Sequence, residues 1–233
     1  MSELRGRLLL NGELVHGRIS FAEGRIVSVE REAGGGQELP VIAPGLVDMH
    51  LHGFGGHDPL IDLQGMASAL VTHGTTAFQP TLFPAAPKKL GEHCAQLAEA
   101  ETRRSAGVGA RNLGAHLEGP FVNPLAAGAL PMEDLHAPSV AGLRAILGPN
   151  TGDGRRVRTI TVAPELSGSA ELIQECVRSG VRISMGHSRA SGAEARAGAR
   201  AGATGATHLY NAMTGIHHRD AGLAGIALTD ALI

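Results

Sequence analysis

From Pro44 onward the chain repeats one pattern, a short apolar run of strand length followed by a stretch of helical periodicity. Residues 45–50 (GLVDMH), 75–81 (TTAFQPT), 112–118 (NLGAHLE), 158–164 (RTITVAP), 181–187 (VRISMGH) and 204–210 (TGATHLY) read as strands. Helical patterning fills the intervals at 62–73, 86–104, 139–147, 169–179 and 190–201. Strands separated by helices of this length need crossover connections, which make a parallel sheet covered by helices. A (β/α)8 barrel and a doubly wound open sheet both satisfy that requirement. No GxGxxG follows the first strand, which disfavours the dinucleotide-binding form of the open sheet. The expected fold is α/β, a TIM barrel with about six of its eight βα units present. The last stretch, GLAGIALTDALI, has the pattern of the helix after strand six, so the barrel reads as incomplete.

Residues 1–42 follow a different pattern. RLLL runs into a turn at NGE, GRISFAEGRIVSVE reads as a hairpin about Glu23–Gly24, and GGG at 34–36 is a loop. Such an antiparallel unit is too small to bury a core of its own. The expected division is therefore a small β domain over 1–42 and the barrel over 43–233.

The bulk properties narrow the function classes. A formal net charge of −2 provides no electrostatic footprint for nucleic acid or for a membrane surface. Charges are scattered through MSELRGRLLLNGELVHG, unlike a signal peptide, and no apolar run approaches the roughly 20 residues of a membrane span. Cys94 and Cys176 form no CxxC pair, which fits a reduced, cytoplasmic chain. Lys88 and Lys89 are the only lysines.

Within GLVDMHLHG, His50 and His52 lie two apart, so on a strand they project to one face with Met49 and Leu51 turned away. Alone, that pair is equally well two solvated histidines. However, Glu118 ends the third strand, His187 ends the fifth, and His208 lies in the sixth. In a βα barrel the C-terminal strand ends open onto one face, so these five side chains would converge. Imidazoles with a carboxylate make a ligand set for zinc or iron(II), one ion or two, with Glu118 able to bridge. Glycines at 53 and 186 leave room for backbone near the site. Asn211 could reach a bound ligand from its loop, and Arg219 is a weak candidate for pairing with an anion. His73 reads as a helix cap and His116 as packed core beside Glu118. His16, His57, His93 and His136 give no pattern.

Taken in order, PGLVDMHLHG, HGTTAFQPTL, GAHLEGPFVNP, TVAPEL, GHS and THLYNAM resemble the N-acetylglucosamine-6-phosphate deacetylases of the amidohydrolase superfamily, from about Val41 to Leu228. The resemblance implies a metal-dependent (β/α)8 barrel and a small β-sandwich built from both chain ends. It implies hydrolysis of N-acetylglucosamine 6-phosphate to glucosamine 6-phosphate and acetate. Glu118, His187 and His208 match the main metal ligands, and His50 and His52 the pair that holds a second metal in some members. Asn211 and Ala212 match sugar contacts, Ala129 another substrate contact, and Arg219 the phosphate-binding arginine. The implied mechanism uses the metal to acidify water and polarise the acetyl carbonyl. An aspartate from an LxTDA motif at strand eight then moves the proton to the leaving amine.

Two departures stand out. LTDA occurs here at Leu228–Ala231, but directly after GLAG, so Asp230 reads as surface and the general acid/base is expected beyond residue 233. Leu130 stands where the family carries a histidine, which affects phosphate recognition. The resemblance further implies a homodimer. Two rival readings remain: a cyclic amidase, and a non-catalytic remnant that binds metal and sugar phosphate. The first requires a carbamylated lysine after strand four, where this chain has TVAPEL.

Overall fold

A computed structural model describes residues 1–34, 38–103, 109–148 and 156–233. The end of the predicted helix at 104 and two residues of the GGG loop, 35 and 36, lie outside the described residues. The chain divides into two compact units, Met1–Leu46 and Val47–Ile233.

The first unit is a four-stranded sheet made of β1 (Ser2–Leu10), β2 (Glu13–Ala22), β3 (Arg25–Arg31) and β4 (Val41–Ile42). Its order is β3-β2-β1-β4, with β4 parallel to β1 and the other pairs antiparallel. Both hairpins turn through two residues at positive φ, Asn11–Gly12 and Glu23–Gly24. That backbone matches the twist of the flanking strands, which is why asparagine and glycine serve there. Arg5 pairs with Glu32 at 2.6 Å and Arg18 with Glu30 at 2.7 Å across the strands. Leu8 is fully buried, whereas Leu4, Ile26 and Val27 are half exposed or more.

The second unit alternates strand and helix. Its elements are β5 (Leu46–Leu51), α1 (Leu63–Thr72), β6 (Thr75–Leu82), α2 (Pro87–Arg103), β7 (Arg111–Asn112), β8 (Ala115–Leu117), α3 (Val140–Leu147), β9 (Val157–Val162), α4 (Ser169–Arg178), β10 (Arg182–Met185), α5 (Gly192–Ala201), β11 (Gly205–Ala206) and α6 (Gly222–Thr229). The sheet order is β5-β6-β8-β9-β10-β11, with β7 beside β6. Pairing from β6 through β11 is parallel. The order follows the chain without reversal, as in a barrel wall; a doubly wound sheet reverses at a switch point.

The helices start and pack where the sequence places them. Asp62 caps α1 by accepting from the Gly65 amide, and Ser191 with Glu194 forms a capping box on α5. Leu63, Met66, Ala67 and Leu70 recur at helical spacing on the buried face of α1. Against such faces the strands contribute Phe78, Leu117, Ile160, Val162, Ile183 and Met185, all at most 1% exposed.

Two predicted strands differ. The third is broken into β7 and β8 because Gly114 takes φ 106° while Asn112 Oδ1 accepts from its amide. The sixth shrinks to Gly205–Ala206, because the backbone turns left-handed at His208 (φ 32°), Tyr210 (74°) and Ala212 (48°). His208 therefore sits in a turn beyond the strand and not within it.

Candidate metal centre

Four strands or their C-terminal loops deliver the five predicted ligands to one point. β5 carries His50, with His52 just beyond it, and Glu118 follows β8 directly. There the Glu118 amide donates to the Leu82 carbonyl at 3.0 Å, fixing the rim between β6 and β8. His187 follows β10 and His208 follows β11.

The Glu118 side chain, 5% exposed, lies at the centre. Its Oε2 is 2.9 Å from His52 Nε2. Its Oε1 is 2.9 Å from His208 Nε2, 3.1 Å from His187 Nε2 and 3.5 Å from His50 Nε2. His187 Nε2 and His208 Nε2 stand 3.0 Å apart.

The outer ring nitrogens bear on what this cluster can hold. His187 Nδ1 faces the Ala126 carbonyl at 2.9 Å, and His208 Nδ1 faces the Asn211 carbonyl at 3.1 Å. A carbonyl has no proton to give, so each Nδ1 carries the hydrogen. In the neutral rings both Nε2 atoms are then bare acceptors, crowded against each other and against a carboxylate oxygen. Protonating both would set two N–H groups head to head across the same 3.0 Å. A single added proton on one ring would serve one of these contacts, whereas a divalent ion would satisfy all three atoms at once. His50 Nδ1 and His52 Nδ1 are buried without a hydrogen-bond partner among the described residues, an arrangement that costs stability unless a ligand compensates. Two three-residue groups have ligand atoms close enough to hold a metal: His50, His52 and Glu118, and Glu118, His187 and His208. Glu118 belongs to both, so the donor set fits one ion or a bridged pair.

The electrostatics follow from the packing. Burial alone would raise the Glu118 carboxyl, but His187, His208 and His52 outweigh it and hold the group well below the usual carboxylate range. Burial, with His116 alongside, lowers His50 to about 4. His208 is raised above its ordinary value by its bond to Glu118.

His116 is buried, as expected, and is also fully bonded. Its Nδ1 donates to the Met49 carbonyl at 2.9 Å, and its Nε2 lies 2.9 Å from the Thr161 hydroxyl. The Thr207 hydroxyl is 2.8 Å from both Thr161 and Ser184. This polar chain runs under the site, with the His116 ring edge-on to His50 at 4.8 Å. Phe83 stacks on His52 at 3.8 Å, a contact that strand patterning does not reveal.

The predicted substrate positions are placed less uniformly. A Cβ on Gly128 would lie 3.7 Å from both the Ala212 methyl and His187 Cε1, so the loop before Ala129 borders the cluster. Ala129 itself is exposed, and Leu130 is 6% exposed, turned inward. Asn211 is exposed, and its backbone bonds His208 at both ends. Arg219 is exposed on a turn closed by His217 and Asp220. Asp230 ends α6, accepts from the Leu232 amide and pairs with Arg196 at 3.7 Å, with no bond to the cluster. His73 caps the C-terminus of α1. Both cysteines are buried thiols pushed up to about 12 by burial. Among the described residues no helix is long and apolar enough to cross a membrane.

No protein-family model matches the chain. It is 34% identical over 236 residues to N-acetylglucosamine-6-phosphate deacetylase of Rattus norvegicus, covering 98% of this chain and 55% of that protein. To N-acetylgalactosamine-6-phosphate deacetylase of Escherichia coli O157:H7 it is 32% identical, covering 97% of this chain and 61% of the relative. A mutant N-acetyl-D-glucosamine-6-phosphate deacetylase of Mycobacterium smegmatis, solved in complex with N-acetyl-D-glucosamine-6-phosphate, matches with a TM-score of 0.82 at 34% identity. That match covers 97% of this chain and 60% of the other. The chain is therefore homologous to these deacetylases over nearly all its residues, and spans 55 to 61% of their length.

Proposed function

We propose that this chain carries the metal centre of a deacetylase that hydrolyses the N-acetyl group of N-acetylglucosamine 6-phosphate. The observation that carries the reading is the set of imidazole Nε2 atoms gathered on the Glu118 carboxylate, two of them with Nδ1 already committed to carbonyls. In this reading residues 43–233 are part of a (β/α)8 barrel and residues 1–42 part of a small β-sandwich, in a cytoplasmic homodimer.

Zinc or iron(II) held by Glu118, His187 and His208, with His50 and His52 as the second subsite, would supply the Lewis acidity that activates water and polarises the acetyl carbonyl. The chain's own residues do the rest of the positioning. The Ala126 and Asn211 carbonyls fix the His187 and His208 tautomers, which keeps both Nε2 atoms aimed inward. Ala129, Asn211 and Ala212 would meet the sugar, and the exposed Arg219 guanidinium would pair with the phosphate. Among the described residues Glu118 is the carboxylate facing the imidazoles, and as a ligand it is not free to shuttle a proton. Asp230 is engaged with Arg196.

The test is a metal-dependent binding and acetate-release assay with N-acetylglucosamine 6-phosphate and N-acetylgalactosamine 6-phosphate. This 233-residue chain should bind zinc or iron(II) and then the glucosamine ester, with little acetate released. Glu118→Gln should abolish metal binding. Absence of metal-dependent sugar-phosphate binding would sink the reading. Robust turnover lost in Asp230→Asn would instead reassign Asp230 as the acid/base.

A further inference from the structure

Glu165 lies in the loop after β9 and is not a candidate ligand. Its carboxylate is nonetheless bonded to residues on the loops that follow both β8 and β10. Oε1 accepts from the Asn123 side-chain amide at 2.8 Å and from the Arg189 backbone amide at 2.6 Å. Oε2 accepts from the Ser188 hydroxyl at 2.7 Å. Two of these partners are tied in turn to the loops that carry the candidate ligands. The Asn123 amide donates to the His187 carbonyl at 2.9 Å, and the Ser188 amide donates to the Ala212 carbonyl at 3.0 Å. Ser188 is the residue after His187, and Ala212 follows Asn211, whose carbonyl orients His208.

His187 itself sits at φ 47°, a region that non-glycine residues avoid unless their surroundings hold them there. Its own ring cannot supply that restraint fully, since Nδ1 reaches one carbonyl on a loop that must itself be fixed. The Asn123 side chain shapes that loop as well, because its Oδ1 caps the short turn at Pro124–Ala126 by accepting from the Leu125 amide. Ala126, the carbonyl partner of His187, is the last residue of that turn.

From this we propose that Glu165 is a positioning residue for the Glu118–His187–His208 metal subsite. It clamps the β8, β9 and β10 loops so that His187 keeps its strained backbone and its ring orientation. The inference rests on the metal reading above. It makes a distinction within the centre, because His50 and His52 come from the β5 end and, among the described residues, share no hydrogen bond with Glu165 or its partners.

The experiment is a cobalt(II) titration of the 233-residue chain and its variants, read by visible ligand-field absorption and by competition with a chelator. Glu165→Ala should weaken binding by about 10- to 100-fold, the range found when groups supporting metal ligands are removed, and should alter the absorption band. Glu165→Gln keeps an oxygen for the Asn123 and Arg189 amides and should bind within about 3-fold of the parent. Ser188→Ala removes one clamp bond with little change in volume, and should fall between them if Glu165→Ala does not fold. A purely structural residue would lower the melting temperature equally with and without cobalt and leave affinity and spectrum unchanged. That result in Glu165→Ala, or in Ser188→Ala where only that variant folds, overturns the inference alone. A parent chain that binds no cobalt overturns the metal reading and this inference with it.

Discussion

His50 and His208 face the same carboxylate, yet their surroundings drive them in opposite directions. His50 is lowered to about 4 mainly by burial, while His208 is raised mainly by its bond to Glu118. His116, lowered by burial, sides with His50. A histidine whose folded-state value lies below the unfolded 6.5 makes the unfolded chain the better proton binder between the two values. Stability from His50 therefore falls as pH drops from about 6.5 toward 4, and His116 acts in the same direction. His208 contributes the reverse: its stabilisation is whole below 6.5 and fades only as pH rises through its folded value. The chelated protein should lose resistance to urea between pH 6.5 and 4.5, and His50→Gln should flatten that slope. A urea midpoint constant over that range would contradict the assignment. The convergence of the five candidate side chains was legible because each lies at or just beyond a strand end. Glu165, Asn123 and Ser188 were not, since their roles depend on contacts 23 to 42 residues apart that no local pattern encodes.

At the scale of elements, helices proved easier to read than strands because their ends carry chemical signals. Asp62, Ser139 and Ser191 each cap a helix within a residue or two of its expected start. Strand ends depend on backbone dihedrals at single positions, Gly114 and His208 here, which apolar patterning does not report. Gly186, between β10 and His187, shows how tightly such an end is packed. A Cβ there would come within 2.8 Å of Thr207 Cβ and 3.2 Å of Thr161 Cγ2. Gly186→Ala should destabilise the protein by about 1–3 kcal/mol, as overpacking does, and should weaken metal binding by displacing His187. Ser191→Ala, which breaks the α5 capping box, should cost about 1 kcal/mol without changing metal affinity. Thermal melts paired with chelator competition separate the two. Equal metal affinities in both variants would mean that β10 does not transmit its packing to the site.

Across the whole Val47–Ile233 unit, the five candidate ligands lie on segments from position 50 to position 208 and meet only when the sheet is formed. An unfolded chain cannot offer the same site, so the free energy of metal binding becomes folding free energy. The one-way strand order makes this coupling strong, because Glu118 is at the centre of the sheet path and the histidines lie on both sides of it. With free metal at a thousand times its dissociation constant the stabilisation is about 4 kcal/mol. For a unit of this size, each kcal/mol shifts the melting temperature by roughly 2–4 °C. Calorimetry should therefore find the transition of this unit raised by about 10 °C with zinc and returned by a chelator. His187→Ala should remove most of the zinc-dependent rise, because it takes out one of the three candidate ligands of the Glu118–His187–His208 subsite. A zinc-dependent shift that survives in both His187→Ala and Glu118→Gln would place the stabilising ion elsewhere in the molecule.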